Sequence, residues 1–237
     1  MNLFNITFIF VVDDVAEHNA IKKNFTNIDV KIYKCDISQI KPVDCVICPG
    51  NSYGIITNKH ASTINKLLGL EQGIKNAINN IYYGEQPVGS CMLINTKNLH
   101  YKHMGYVPIN RIPFTSVPSK QTKQKNNTDK KNTENTENKY NVYYAFRALL
   151  TSILNYNKTH QNKITTVTCP ILYSDYENKD PETSANQMRL AYSMIDMNPD
   201  CSIKTANIRY NSTPLQPVPT HTTAVSLISS RARQLFT

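Results

Sequence analysis

Tryptophan is absent from the 237 residues, glycine occurs only seven times, and no apolar run approaches the roughly 18 residues that a membrane-crossing helix requires. The most hydrophobic stretch, residues 8–12, runs straight into Asp13 and Asp14, so neither a spanning helix nor a membrane partner is expected. The same stretch has no basic leader and no small-residue cleavage site. It reads as the first buried strand of an intracellular, cytoplasmic protein, in the host cytoplasm if the source is viral. Cysteine pairing motifs are also missing. Among Cys35, Cys45, Cys48, Cys91, Cys169 and Cys201, only Cys45 and Cys48 have CxxC spacing, and they lie within an apolar run. Buried free thiols are therefore expected, with no metal and no cofactor.

Acid is in short supply: 26 Lys and Arg face 17 Asp and Glu, a net charge of +9. A nucleic-acid groove would concentrate that excess on a folded face, but much of it sits elsewhere. Residues 118–139 hold six lysines, three acids and no apolar side chain to bury. This low-complexity insertion is expected to make at most a weak, non-specific polyanion contact through residues 120–139. Beyond Tyr210, Arg231 and Arg233 meet no acid in a Pro/Ser/Thr-rich tail, residues 210–237. A single domain over residues 1–209 is left, interrupted by the insertion.

Apolar periodicity then sets the order of elements. Residues 3–12 read as a buried strand; Asp13 or Asp14 can cap a helix made amphipathic by Val15, Ala16, Ile21 and Phe25. Residues 30–33 alternate as a half-buried strand, and residues 43–48 form a continuous apolar run that Pro49 and Gly50 are expected to end. Two short helices are expected over residues 61–83, then strands at 88–94 and 101–109. A helix follows at 140–153, a strand at 164–169, and a last helix opened by Pro181. Strands alternating with helices imply an α/β protein, a three-layer α/β/α sandwich on a mostly parallel mixed sheet.

In such a sheet a ligand sits at the carboxyl ends of strands, which singles out the loops after Cys48 and after Cys169. The first reads Pro49-Gly50-Asn51-Ser52-Tyr53-Gly54-Ile55-Ile56-Thr57-Asn58-Lys59-His60, the second Pro170-Ile171-Leu172-Tyr173-Ser174-Asp175-Tyr176. With their flanks, these residues resemble the macro domain, a family that binds ADP-ribose and related nucleotide metabolites, and within it the phage and bacterial tail-associated branch. Cys35-Asp36-Ile37-Ser38 followed by Asn51-Ser52 resembles the family's Gly-Asp-Ile-Thr segment and Asn-Ser loop. Residues 84–89 are similar to its next turn, residues 141–148 to its middle helix, and Cys169-Pro170 with residues 187–192 to its last strand and helix.

The resemblance implies a module for ADP-ribose or a related adenine nucleotide, with Asp36 on the adenine amine and Asn51 on the distal ribose. Ser52, Gly54, Asn58 and Lys59 would complete the first loop, and Tyr173 or Tyr176 would stack on the ligand. No catalytic residue is expected. Glycines that the family keeps are replaced by Asn58-Lys59 in the first loop and missing from the second, where Ile171, Leu172 and Tyr173 are expected to narrow the diphosphate channel. His60 is the side chain near the first loop able to act as a base near neutral pH, although a histidine at a helix start reads more readily as a cap or surface residue. Two alternatives remain open: a degenerate macro fold serving as a non-catalytic interaction or structural protein, and an ADP-ribosyl or O-acetyl-ADP-ribose hydrolase.

Overall fold

The computed structural model describes residues 5–111, 140–173 and 180–196. The insertion at 118–139, the tail, Tyr176 and Cys201 lie outside the described residues. The elements run β1 (Thr7–Val12), α1 (Val15–Asn24), β2 (Val30–Lys34), a 3₁₀ turn (Ile37–Gln39), β3 (Val43–Asn51), α2 (Lys59–Leu68) and α3 (Glu71–Tyr82). They continue with β4 (Met92–Asn95), β5 (Tyr101–Asn110), α4 (Asn141–Thr159), β6 (Thr166–Pro170) and α5 (Pro181–Asp196).

The six strands form one sheet in the order β2-β1-β6-β3-β5-β4. Every neighbouring pair is parallel except β4 against β5. One face packs Phe8, Phe10 and Ile47 against Ile21 of α1, Phe146 of α4 and Met188 of α5. The other packs Val11, Val46 and Met104 against Ile64 of α2 and Ile74 and Ile78 of α3. The result is the three-layer sandwich that the alternation of strand and helix implies, because an apolar strand buried on both faces needs a helical layer on each side.

Strand boundaries differ from the sequence reading: β1 begins at Thr7 and β6 at Thr166, both later than expected, and β3 and β4 depart further. Pro49 and Gly50 do not end β3; the strand continues to Asn51, with Pro49 opposite Val107 of β5. Pairing of β3 with β6 is confined to Cys45↔Val167 and Val46↔Thr168, so beyond that point one side of β3 is an edge, where the missing proline N–H costs no ladder bond. The strand expected at 88–94 begins only at Met92. Ser90 N–H donates to Pro87 O at 3.2 Å and Gly89 takes φ +83°, so those residues form a turn. The five described cysteines are free thiols; Cys45, Cys48 and Cys169 are buried.

Candidate functional site

β1 leaves the sheet through α1 on one face, while β3 leaves through α2 and α3 on the other. Successive connections that diverge in this way open a crevice at the carboxyl ends of the strands between them, here β1, β6 and β3. Two helices begin at that end of the sheet. Asp14 caps α1, its Oδ1 accepting Glu17 N–H at 2.9 Å. Asn58 caps α2, its Oδ1 accepting Ala61 N–H at 2.8 Å while its Nδ2 donates to Pro49 O at 2.9 Å. The cap of α2 is thus Asn58 and not His60, which is the second residue of the helix.

The first loop is held from within. Asn51 is buried, and its side chain closes the turn: Oδ1 accepts from Tyr53 N–H at 3.1 Å and Ile55 N–H at 3.2 Å, and Nδ2 donates to Ile55 O at 2.7 Å. The positive φ of this turn falls on Gly54, at +71°, and not on Asn51. A Cβ at Gly54 would also sit 3.0 Å from Ile78 Cδ1, so that glycine serves both the turn and its packing on α3. Ser52 is buried, its N–H donating to Asn110 O at 3.1 Å and its carbonyl accepting Gln86 N–H at 2.9 Å. Tyr53 Oη donates to Glu85 Oε2 at 3.0 Å, and Arg111 Nε donates to Glu85 Oε1 at 2.6 Å.

A second polar network spans the ends of β1, β6 and α2. Lys59 Nζ donates to Asp13 Oδ1 at 2.6 Å, and His60 Nε2 stands 3.7 Å from Asp13 Oδ2. Asp13 N–H donates to Glu17 Oε2 at 2.6 Å, and Tyr173 Oη donates to Glu17 Oε1 at 2.7 Å. The hydrogen bond and charge of Asp13 raise the Lys59 pKa, and burial lowers that of His60 against the opposing pull of Asp13. Burial, reinforced by Glu17, pushes the Tyr173 hydroxyl far up. Asp36 caps the 3₁₀ turn, accepting Ser38 N–H at 2.9 Å; hydrogen bonds from Ser38 hold its carboxyl below the usual range, aided by the charges of Lys59 and His60. Asp36 therefore lies within electrostatic reach of the first loop's helix.

The bulk of the second loop is directed differently from the sequence expectation. Ile171 and Leu172 are buried and belong to the core shared with α1, α4 and α5. Tyr173 donates to Glu17, and the remainder of that loop, residues 174–179, lies outside the described residues. Asp13 and Glu17 escape a reading based on motifs because they resemble ordinary helix-start acids. The one signal was Asp14 followed three residues later by Glu17, a capping-box spacing. Here the glutamate reaches past the cap to the N–H of Asp13. Tyr106 and Arg111 gave no local signal.

No family model matches the sequence, and no curated protein matches it. Solved structures do. The macrodomain of Mycobacterium tuberculosis DarG is 16% identical over 69% of this chain and 89% of its own, with a TM-score of 0.48. An Oceanobacillus iheyensis macrodomain with ADP is 12% identical over 69% and 90%, with a TM-score of 0.40. These neighbours are macrodomains. The architecture of the present chain stands on its own strand order and pairing.

Proposed function

We propose that the crevice at the ends of β1, β6 and β3 binds ADP-ribose or a related adenine nucleotide. The observation that carries this reading is that, at a topological switch point, Lys59 of the first loop and Tyr173 at the start of the second are linked through Asp13 and Glu17, with Asp36 electrostatically coupled to Lys59 and His60 beside them. One carboxylate oxygen of Asp36 caps Ser38, and the other has acceptor capacity for an exocyclic amine. The turn closed by Asn51 presents the start of α2, whose N-terminal dipole and Lys59 favour phosphate. Asn51, Ser52, Gly54, Asn58 and Lys59 would form the ribose and phosphate end, with Tyr173 as the wall.

Calorimetric titration of the chain with ADP-ribose tests the reading. Micromolar affinity that falls on Asp36→Ala and on Asn51→Ala, with both variants folded, is the expected outcome; no heat at millimolar ligand refutes it.

A second reading, a macro-like scaffold used as an interaction or structural protein, is favoured by a specific feature: the Asn51 amide and the Lys59 ammonium are engaged by the protein itself. Full ADP-ribose binding by the native chain would set it aside. For hydrolysis of ADP-ribose conjugates, His60 of α2 and Asp13, which precedes α1, form an acid–base couple beside the first loop; release of ADP-ribose from a modified substrate would be required.

A further inference from the structure

Tyr106 lies in β5, fully buried, with its hydroxyl beneath the root of the first loop. Asn51 N–H donates to Tyr106 Oη at 3.1 Å, and Tyr106 Oη donates to Asn51 O at 2.7 Å, so one hydroxyl takes both main-chain groups of one residue. This happens where the β3–β5 register shifts, between Gly50 and Asn51. An irregularity of that kind leaves backbone groups out of the ladder, and an unmet buried N–H or C=O is costly. The phenol serves both groups of Asn51, whose carbonyl also accepts Gly54 N–H at 3.3 Å. Space for it exists because residue 50 has no side chain: a Cβ there would lie 2.2 Å from Tyr106 Oη. Burial pushes the hydroxyl's ionisation far up, so it remains a donor at any pH the protein meets.

We propose that Tyr106 is the positioning residue of the nucleotide site, its hydroxyl setting the direction in which β3 hands Asn51 to the loop of residues 51–55. The inference rests on the reading of the crevice as a nucleotide site. Its reach is specific: among the described residues the Tyr106 hydroxyl bonds to Asn51 and not to Asp36 or the 3₁₀ turn, so it governs the end of the ligand held by the first loop and not the adenine end. Gly50 and Tyr106 act as a matched pair, one vacating the volume that the other fills.

Tyr106→Phe keeps the ring and removes only the hydroxyl. It is compared with the native chain by calorimetry with ADP-ribose and with AMP, and by amide hydrogen exchange over residues 51–55. The expected result is an ADP-ribose Kd raised about tenfold and an AMP Kd changed less than about twofold, since AMP lacks the second ribose. Combining Tyr106→Phe with Asn51→Ala is expected to weaken ADP-ribose no further than Asn51→Ala alone, because the hydroxyl acts through Asn51. Unchanged ADP-ribose affinity, an equal loss of AMP, or additive losses in the double variant would overturn the proposal. If the native chain binds neither nucleotide, the functional reading fails by itself and exchange decides the positioning role. Faster exchange at Tyr53 and Ile55 in Tyr106→Phe then supports it, and unaltered protection refutes it.

Discussion

Replacing Asp44 tests how the middle of the sheet is held. Asp44 is the second residue of β3, its side chain 14% exposed, at the end of the sheet opposite the crevice. Its Oδ2 accepts from Thr165 N–H at 3.0 Å, Thr165 Oγ1 at 2.9 Å, Thr166 N–H at 3.1 Å and Thr166 Oγ1 at 3.1 Å, and its Oδ1 accepts Lys102 Nζ at 2.9 Å. The carboxylate thereby ties β3 to the start of β6 and to β5, at a junction where β3 and β6 share only two register pairs. Hydrogen bonds to a charged group contribute about 1.5–3 kcal/mol each without being additive. The Lys102 bridge, exposed on the lysine side, adds at most about 1 kcal/mol. Asp44→Ala is therefore expected to cost about 3–4 kcal/mol in urea unfolding.

The pH dependence of that loss follows from the same contacts. Burial alone would raise the Asp44 carboxyl, but Lys102 and the Thr165 and Thr166 donors outweigh it and hold the group well below the usual carboxylate range. Its stabilisation is thus complete above the unfolded value of about 3.9 and declines as pH falls toward the folded value. The stability gap between native chain and Asp44→Asn should narrow by about 1 kcal/mol between pH 7 and pH 3. An Asp44→Ala variant within about 0.5 kcal/mol of native, or a gap that stays constant over that range, would refute the reasoning.

Two further outcomes are expected. Tyr173→Phe strips a donor from the buried Glu17 carboxylate and should destabilise the fold by about 2 kcal/mol in denaturant titration; an unshifted midpoint would mean that the second loop is not anchored through this bond. Burial keeps His60 below its unfolded value of about 6.5, so the folded chain binds fewer protons and loses stability as pH drops through that value. Thermal melts at pH 7 and pH 5 should show a smaller loss for His60→Gln than for the native chain, and equal losses would contradict this.

Helices and strands were largely legible along the chain because burial on a sheet or beneath a helix leaves a local period, as in the apolar run from Val43 to Cys48 and the spacing of Ile64, Ile74 and Ile78. The misplaced boundaries have local causes whose outcome depends on neighbours: Pro49 lies in β3 beyond the last described β3–β6 register pair, where its missing N–H is tolerated. For the candidate site, the sequence singled out the loops after β3 and β6 but not what occupies their side chains. Asn51, Asn58 and Asp36 each satisfy a turn or a helix start, and a polar side chain that caps cannot be told by type or spacing from one that faces a ligand.

Residue type and period were enough to determine an α/β chain with alternating layers, because hydrophobic burial acts on near neighbours and repeats every two or 3.6 positions. The insertion of β6 between β1 and β3 was decided only by the tertiary structure. It brings Lys59 to Asp13 across 46 residues and Tyr173 to Glu17 across 156. Pairings at such separation depend on which strands share an edge and which face each connection crosses, a property of the whole chain that no window of sequence contains.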